Sequence, residues 1–394
     1  TFKVQSGTYN EQISIGSFSG ESKTRPVTFE SLSGDSTDVI LTHKNTFNKN
    51  YIVQLTGADY VTFQNMTFKP TDYYYGHCID VSGESKGINI RNNQFLGYTN
   101  PYYYYSVGVL SSTDNDDSCT IENNYFTQGN QAIQWYGLGS TNPEKGTIIR
   151  NNTISNGSRT AVYVQNQENL QVISNTIDLK NNNASKVGIQ VVNAKNGLDV
   201  SCNNIKSNAI YDNGIYVHYT GTSSMVGSVA NNFIALNSNA SGRYGMYLNS
   251  SDYLTCAFNS INLYGGSNTS TYALRNYYGS NIKLLNNILC NRSNGYSIYT
   301  QGTGVVQSNY NDLFTTGTNL GFNGSNSTSL SAWKTATGRD ANSLSIDPLF
   351  TANDNLHVYI SSLDSAATPV SGITQDIDKD TRNTTHPDIG ADEF

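Results

Sequence analysis

Short runs of alternating apolar and polar residues, each ending in an Asn pair, recur down this chain. Ser118–Phe126 shows the unit: an alternating strand, then Asn123 and Asn124, then a polar residue and the large apolar Phe126. It returns at Ile88–Phe95, Ile148–Ile154, Val172–Ile177, Val200–Ile205, Val229–Ile234, Cys256–Ile261, Leu284–Ile288 and Asn309–Leu313. Aligning one Asn per unit, at 93, 124, 152, 175, 203, 232, 259, 286 and 311, gives spacings of 31, 28, 23, 28, 29, 27, 27 and 25. A period of this size marks a solenoid, which grows by adding coils and not by enlarging one core.

A second strand phase lies between the Asn pairs and reads small, apolar, polar, apolar. It covers Cys78–Val81, Ser106–Val109, Ala132–Trp135, Ala161–Val164, Gly188–Val191, Gly214–Val217, Gly245–Leu248, Ala273–Asn276 and Ser297–Thr300. Alternation puts Ile189 and Val191 inside and Gln190 and Val192 outside. A short strand after each Asn pair completes three strands per repeat, with no amphipathic helix between them. The pattern predicts an all-β parallel β-helix of about ten coils, stacked roughly 4.8 Å apart. Asn suits its tight corners, where a left-handed backbone is needed, and stacked Asn side chains build an amide ladder. Residues 1–50 read as an N-terminal cap and first coil, 51–313 as the coils, and 314–394 as a C-terminal cap. Within that cap Leu330–Ala336 reads as a short helix with Ser329 as N-cap.

Composition narrows the partners. Charged residues are 13% of the chain and the formal net charge is −7, so the basic footprint of a nucleic-acid binder is missing. No apolar run approaches the roughly 18–20 residues of a membrane span. The chain opens directly on a strand at Thr1–Val4 and reads as a mature or excised piece of a longer precursor. Cys119 and Cys256 fall on apolar-phase positions and read as small buried thiols; no Cys spacing suggests a disulfide framework or a metal.

Several stretches carry a resemblance: Ser6–Ile15, Pro26–Ser31 and Gly57–Phe63 near the start, then Asp347–Phe350, Leu356–His357, Asp376–Arg382 and Pro387–Phe394 at the close. With the coil pattern, they make the chain resemble the pectin-lyase-like right-handed parallel β-helix proteins, of the kind found in large secreted bacterial cell-surface proteins. The resemblance implies an exported, cell-surface setting and a polysaccharide partner along the sheet of the second strand phase.

The outward positions of that sheet read Asp80/Ser82, Gly108/Leu110, Gln134/Tyr136, Tyr163/Gln165, Gln190/Val192, Tyr216/His218, Tyr247/Asn249, Arg275/Tyr277 and Tyr299/Gln301. Tyr136, Tyr163, Gln190, Tyr216, His218, Tyr247, Asn249, Arg275, Tyr277 and Tyr299 are therefore candidate glycan contacts, rings covering C–H faces while amides and phenols bond hydroxyls. The competing reading is that Tyr is simply a good strand residue. Outward acids amount to Asp80, with Glu84 just beyond, which falls short of the paired carboxylates of glycoside hydrolysis and of a clustered calcium site. The reading that results is a non-catalytic extracellular domain, an adhesin or filament segment, that needs no cofactor. Its partners would be a polysaccharide or cell-surface glycan, copies of itself, or flanking domains. The alternative is a lyase acting on a uronate-containing glycan by metal-independent β-elimination. There Arg275 neutralises the carboxylate while His218 or Tyr247, on neighbouring coils, exchanges the proton. Two further features stand apart. Tyr73–Tyr75 and Tyr102–Tyr105 precede the same strand in consecutive coils and form a candidate interaction patch. Asp376, Asp378 and Asp380 have the alternating oxygens of a calcium loop but lack its Gly and closing Glu, and Arg382 could neutralise them without metal.

Overall fold

The computed structural model describes the chain except residues 99–104, 113, 158, 180–184, 209–210 and 238–241. It divides into two compact units, Thr1–Ala184 with Val192–Ala194 (unit 1) and Ser185–Val191 with Lys195–Phe394 (unit 2). Each is a stack of parallel coils with three strands per coil. In unit 1 the strands Phe2–Val4, Gly7–Asn10 and Ile13–Gly16 pair in register with Val27–Ser31, Val39–His43 and Val53–Thr56 of the next coil. In unit 2, Asp199–Ser201, Asn204–Ser207 and Tyr211–His218 pair likewise with Gly227–Ala230, Phe233–Asn237 and Arg243–Asn249. The chain is thus an all-β parallel β-helix, as the repeat predicts. Residues 1–50 already contribute complete strands to all three sheets.

In-register stacking makes columns of like residues inside each coil wall. Phe2, Phe29 and Phe63 stack in the first sheet with ring centroids 5.1 Å apart. Phe68, Phe95 and Phe126 do the same in the second sheet at 5.1 and 4.5 Å. These separations sit close to the spacing of adjacent strands, so the backbone ladder and the ring ladder reinforce one another.

The Asn pairs divide two jobs. Asn92, Asn123 and Asn151 of unit 1 hold left-handed φ values of 54–56° at the corner. The following Asn93, Asn124 and Asn152 are buried. Asn124 Nδ2 donates to Ile90 O at 2.8 Å and to Asn152 Oδ1 at 3.0 Å, while its own Oδ1 accepts from the Asn93 backbone N–H at 3.0 Å. Asn152 repeats this with Asn175 in unit 1, and Asn203, Asn232, Asn259, Asn287 and Asn311 form the ladder of unit 2. One alignment is corrected: the ladder residue is Asn287, not Asn286. Asn286 is the left-handed corner at φ 59°, and its Nδ2 donates instead to Thr368 O at 2.7 Å. A doublet leaves the choice between its members open to a one-residue slip.

A second correction concerns the third sheet of unit 1. Leu110 pairs with both Asp80 and Gln134, so it occupies the first outward column. Gly108 lies on the inner wall, where an added Cβ would come within 2.7 Å of the Phe126 ring. Gly108 and Val109 are two successive inward residues, so the alternation resets there and the outward phase resumes at Leu110.

The last residues of unit 2 close over its coils. The helix Leu330–Thr337 starts at Ser329, whose hydroxyl accepts from Ala332 N, and buries Trp333. Val358, Leu363 and Ile389 pack with Phe258, Leu285 and Ile288. Arg382 lies 4.0 Å from the Phe258 ring, pairs with Glu393 at 3.0 Å and donates to Asn231 Oδ1.

Candidate functional site

The third sheet of unit 2 carries a group of outward-facing aromatic residues. Its strands Arg243–Asn249, Thr271–Tyr277 and Tyr296–Gln301 set Tyr247 beside Arg275 and Arg275 beside Tyr299. A third column, Tyr244, Tyr272 and Tyr296, runs along the same face with centroids 5.3 and 5.6 Å apart and near-parallel rings. Strict alternation points these three inward. The structure turns them out because each precedes two consecutive inward residues: Gly245 and Met246, Ala273 and Leu274, Ser297 and Ile298. The small first member packs on the second sheet; at Gly245 a Cβ would meet Ile261 Cγ2 at 2.3 Å.

Arg275 is the centre of this face. Its guanidinium carbon lies 4.9–5.4 Å from the ring centroids of Tyr244, Tyr247, Tyr272, Tyr277 and Tyr299. Nη1 donates to the Tyr244 hydroxyl at 2.9 Å, while Nε is buried without a hydrogen-bond partner. Among the described residues no carboxylate forms an ion pair with it. The ring faces supply the negative potential that holds the cation. Beside it, Tyr272, Tyr296, Tyr299 and Phe322 line a cleft of about 570 Å³ whose other walls include Asn294, Asn319 and Asn326. Tyr299 stacks on Phe322 at 4.4 Å and 8°.

The remaining candidates of unit 2 are distributed as follows. Tyr216 stacks on Tyr247 at 5.0 Å and accepts from Asn249 Nδ2 at 3.0 Å. His218 pairs in register with Asn249 and stacks between Tyr216 and Tyr219. Burial lowers its pKa, keeping the imidazole neutral, and pushes the Tyr247 phenol up to about 12 against the opposing pull of Arg275. Gln190 is half-buried in unit 2. In unit 1, Tyr136 and Tyr163 meet edge to face at 4.9 Å, and the Tyr163 hydroxyl donates to Gln165 Oε1.

The structure also gathers acids around Asp80 that the strand pattern left out. Asp114, Asp116 and Asp117 accept the backbone N–H groups of Gly83, Ser85 and Lys145. Asp80 and Asp116 are each pushed up to about 6, first by burial; Asp116 then raises Asp80 further. Glu144, buried under Trp135 Nε1, Thr147 Oγ1 and Gln167 Nε2, is pushed up to about 8 by burial. The three loop aspartates hold turns together, a use that accounts for their position.

Of the Tyr patch, Tyr75 and Tyr105 meet at 5.7 Å with Phe47 against Tyr75, and Tyr73 and Tyr74 are exposed. Tyr102, Tyr103 and Tyr104 lie outside the described residues. In the Asp-rich loop, Asp376 Oδ1 accepts from the backbone of Asp378 and Asp380, and Oδ2 accepts from Glu393 N. Asp378 turns to His357. Arg382 is engaged by Glu393 and does not pair with the three aspartates.

No protein-family model and no curated protein matches the chain. Among solved structures it is similar to a mannuronan C-5 epimerase A-module of Azotobacter vinelandii (10% identity, 88% of this chain and 90% of that one, TM-score 0.49). It is also similar to the Dettilon tailspike protein (10%, 82% and 61%, TM-score 0.49) and to a PL6 family alginate lyase (11%, 98% and 54%, TM-score 0.41). The chain thus spans about three fifths of that tailspike and about half of that lyase. No helix among the described residues is long and apolar enough to cross a membrane.

Proposed function

We propose that this chain is an extracellular polysaccharide-binding β-helix domain, and that the aromatic face of unit 2 holds a carboxylate-bearing glycan. The observation that carries the reading is Arg275, a guanidinium enclosed by five tyrosine rings with no ion-paired carboxylate among the described residues. Rings supply flat apolar area for sugar C–H faces, and the flanking amides supply donors and acceptors for hydroxyls. A carboxylate is the partner the guanidinium fork is shaped for. The role as an adhesin or filament segment belongs to this same reading.

The test is retention on immobilised acidic polysaccharide. Tyr272→Ala with Tyr299→Ala should weaken retention by at least about tenfold, the equivalent of roughly 1.4 kcal/mol, while Tyr125→Ala in unit 1 leaves it unchanged. Equal retention of all three forms, or none at all, overturns the reading.

The lyase reading keeps one specific support: Tyr247 stays a phenol beneath Arg275 while His218 stays neutral, a donor and an acceptor of the kind β-elimination requires. Release of unsaturated, ultraviolet-absorbing sugar that is lost in His218→Ala would establish it.

A further inference from the structure

We infer that His357, Asp378 and Asp392 form a binding site for one divalent transition-metal ion, of the Zn²⁺ class, in the C-terminal part of unit 2. One donor atom from each lies within 4.8 Å of the others. His357 Nε2 faces Asp378 Oδ2 at 2.8 Å. The other ring nitrogen, Nδ1, contacts Asn355 Oδ1, and that same oxygen accepts from the His357 backbone N–H. With an acceptor at Nδ1, that nitrogen is the donor, so Nε2 is the nitrogen that would offer a metal its lone pair in place of its contact with Asp378 Oδ2. This is how a metal-binding imidazole is oriented by a neighbour outside the ligand set. Phe233 clamps the ring edge to face at 5.0 Å.

The third ligand makes the case independently of the imidazole. Asp392 is only 6% exposed, and one of its carboxylate oxygens accepts from Val358 N at 3.3 Å. Among the described residues no lysine or arginine pairs with Asp378 or Asp392. Two carboxylates and an imidazole therefore share one spot. Bond lengths near 2.0–2.2 Å in a tetrahedron put ligand atoms roughly 3.3 Å apart, so the 2.8 Å contact needs to open by about half an ångström. A nitrogen donor and three protein ligands favour zinc-like ions over calcium, which takes six or more oxygens.

The experiment strips the chain with chelator and titrates Zn²⁺, then Ca²⁺, by calorimetry, with Co²⁺ absorption as a second readout. The expected result is about one Zn²⁺ per chain, unaffected by excess Ca²⁺, with Co²⁺ giving the visible bands of a tetrahedral site. Affinity should fall at least about 100-fold in His357→Ala and about tenfold in Asn355→Ala, which only positions the ring. Asp378 is exposed, so Asp378→Asn should fold as the parent does in chelator and still lose affinity. Cys202→Ser, which removes a thiol near Asp376, should bind as the parent does. No stoichiometric uptake, uptake unchanged in both His357→Ala and Asp378→Asn, or loss in Cys202→Ser would each overturn the assignment.

Discussion

At Asn124 four hydrogen-bonding capacities are spent on neighbouring coils at once: two donors to Ile90 O and Asn152 Oδ1, and two contacts accepted from Asn93. Asn124→Ala strands several buried groups, each costing on the order of 1–3 kcal/mol. Denaturant unfolding should show a loss of about 3 kcal/mol or more. Asn123, one residue earlier, needs only its left-handed φ of 55°, which Gly adopts freely; Asn123→Gly should change stability by less than about 0.5 kcal/mol. Glu144 makes a second residue-scale test. Its carboxyl is raised to about 8 against a usual 4.5, so the folded state holds a proton that the unfolded chain releases. Its contribution is complete below about pH 4.5 and is lost as pH rises towards 8. Glu144→Gln keeps the neutral form, so its stability relative to the parent should rise from pH 5 to 8 and level off above. A difference that is flat with pH would contradict this. The Asn doublets were plain in the sequence, but which member builds the ladder was not, as Asn286 and Asn287 illustrate.

Element by element, the strand phases were readable wherever one polar residue separated two apolar ones. Alternation gave Tyr247, Arg275 and Tyr299 their outward side correctly. It failed for Tyr244, Tyr272 and Tyr296, because two successive inward residues at Gly245–Met246, Ala273–Leu274 and Ser297–Ile298 reset the phase. The available signal was the small residue itself, recurring before each apolar one. Two of the five rings around Arg275, Tyr244 and Tyr272, were therefore invisible to a period of two. Acids drawn in from residues 114–117 and the His357–Asp378–Asp392 group come from loops far apart in sequence, and no periodicity could have joined them. The Ser329-capped helix, carried by local signals alone, was legible to within a residue.

For the molecule as a whole, architecture and chemistry come from different sources. The coils need only repeated spacing and Asn corners; the candidate chemistry is concentrated where unit 2 replaces ordinary outward residues with a tyrosine-enclosed cation. A neutral surface of this composition would bind sugars weakly and without regard to charge, whereas Arg275 adds a screened, salt-dependent attraction. The direct measurement is calorimetric titration of a uronate oligosaccharide and its neutral counterpart into the full chain and into Arg275→Gln, at low and high salt. The expected result is that the parent prefers the uronate by about tenfold at low salt, and that added salt or Arg275→Gln removes the preference. Equal affinity for both sugars, unchanged by the substitution, would contradict the account.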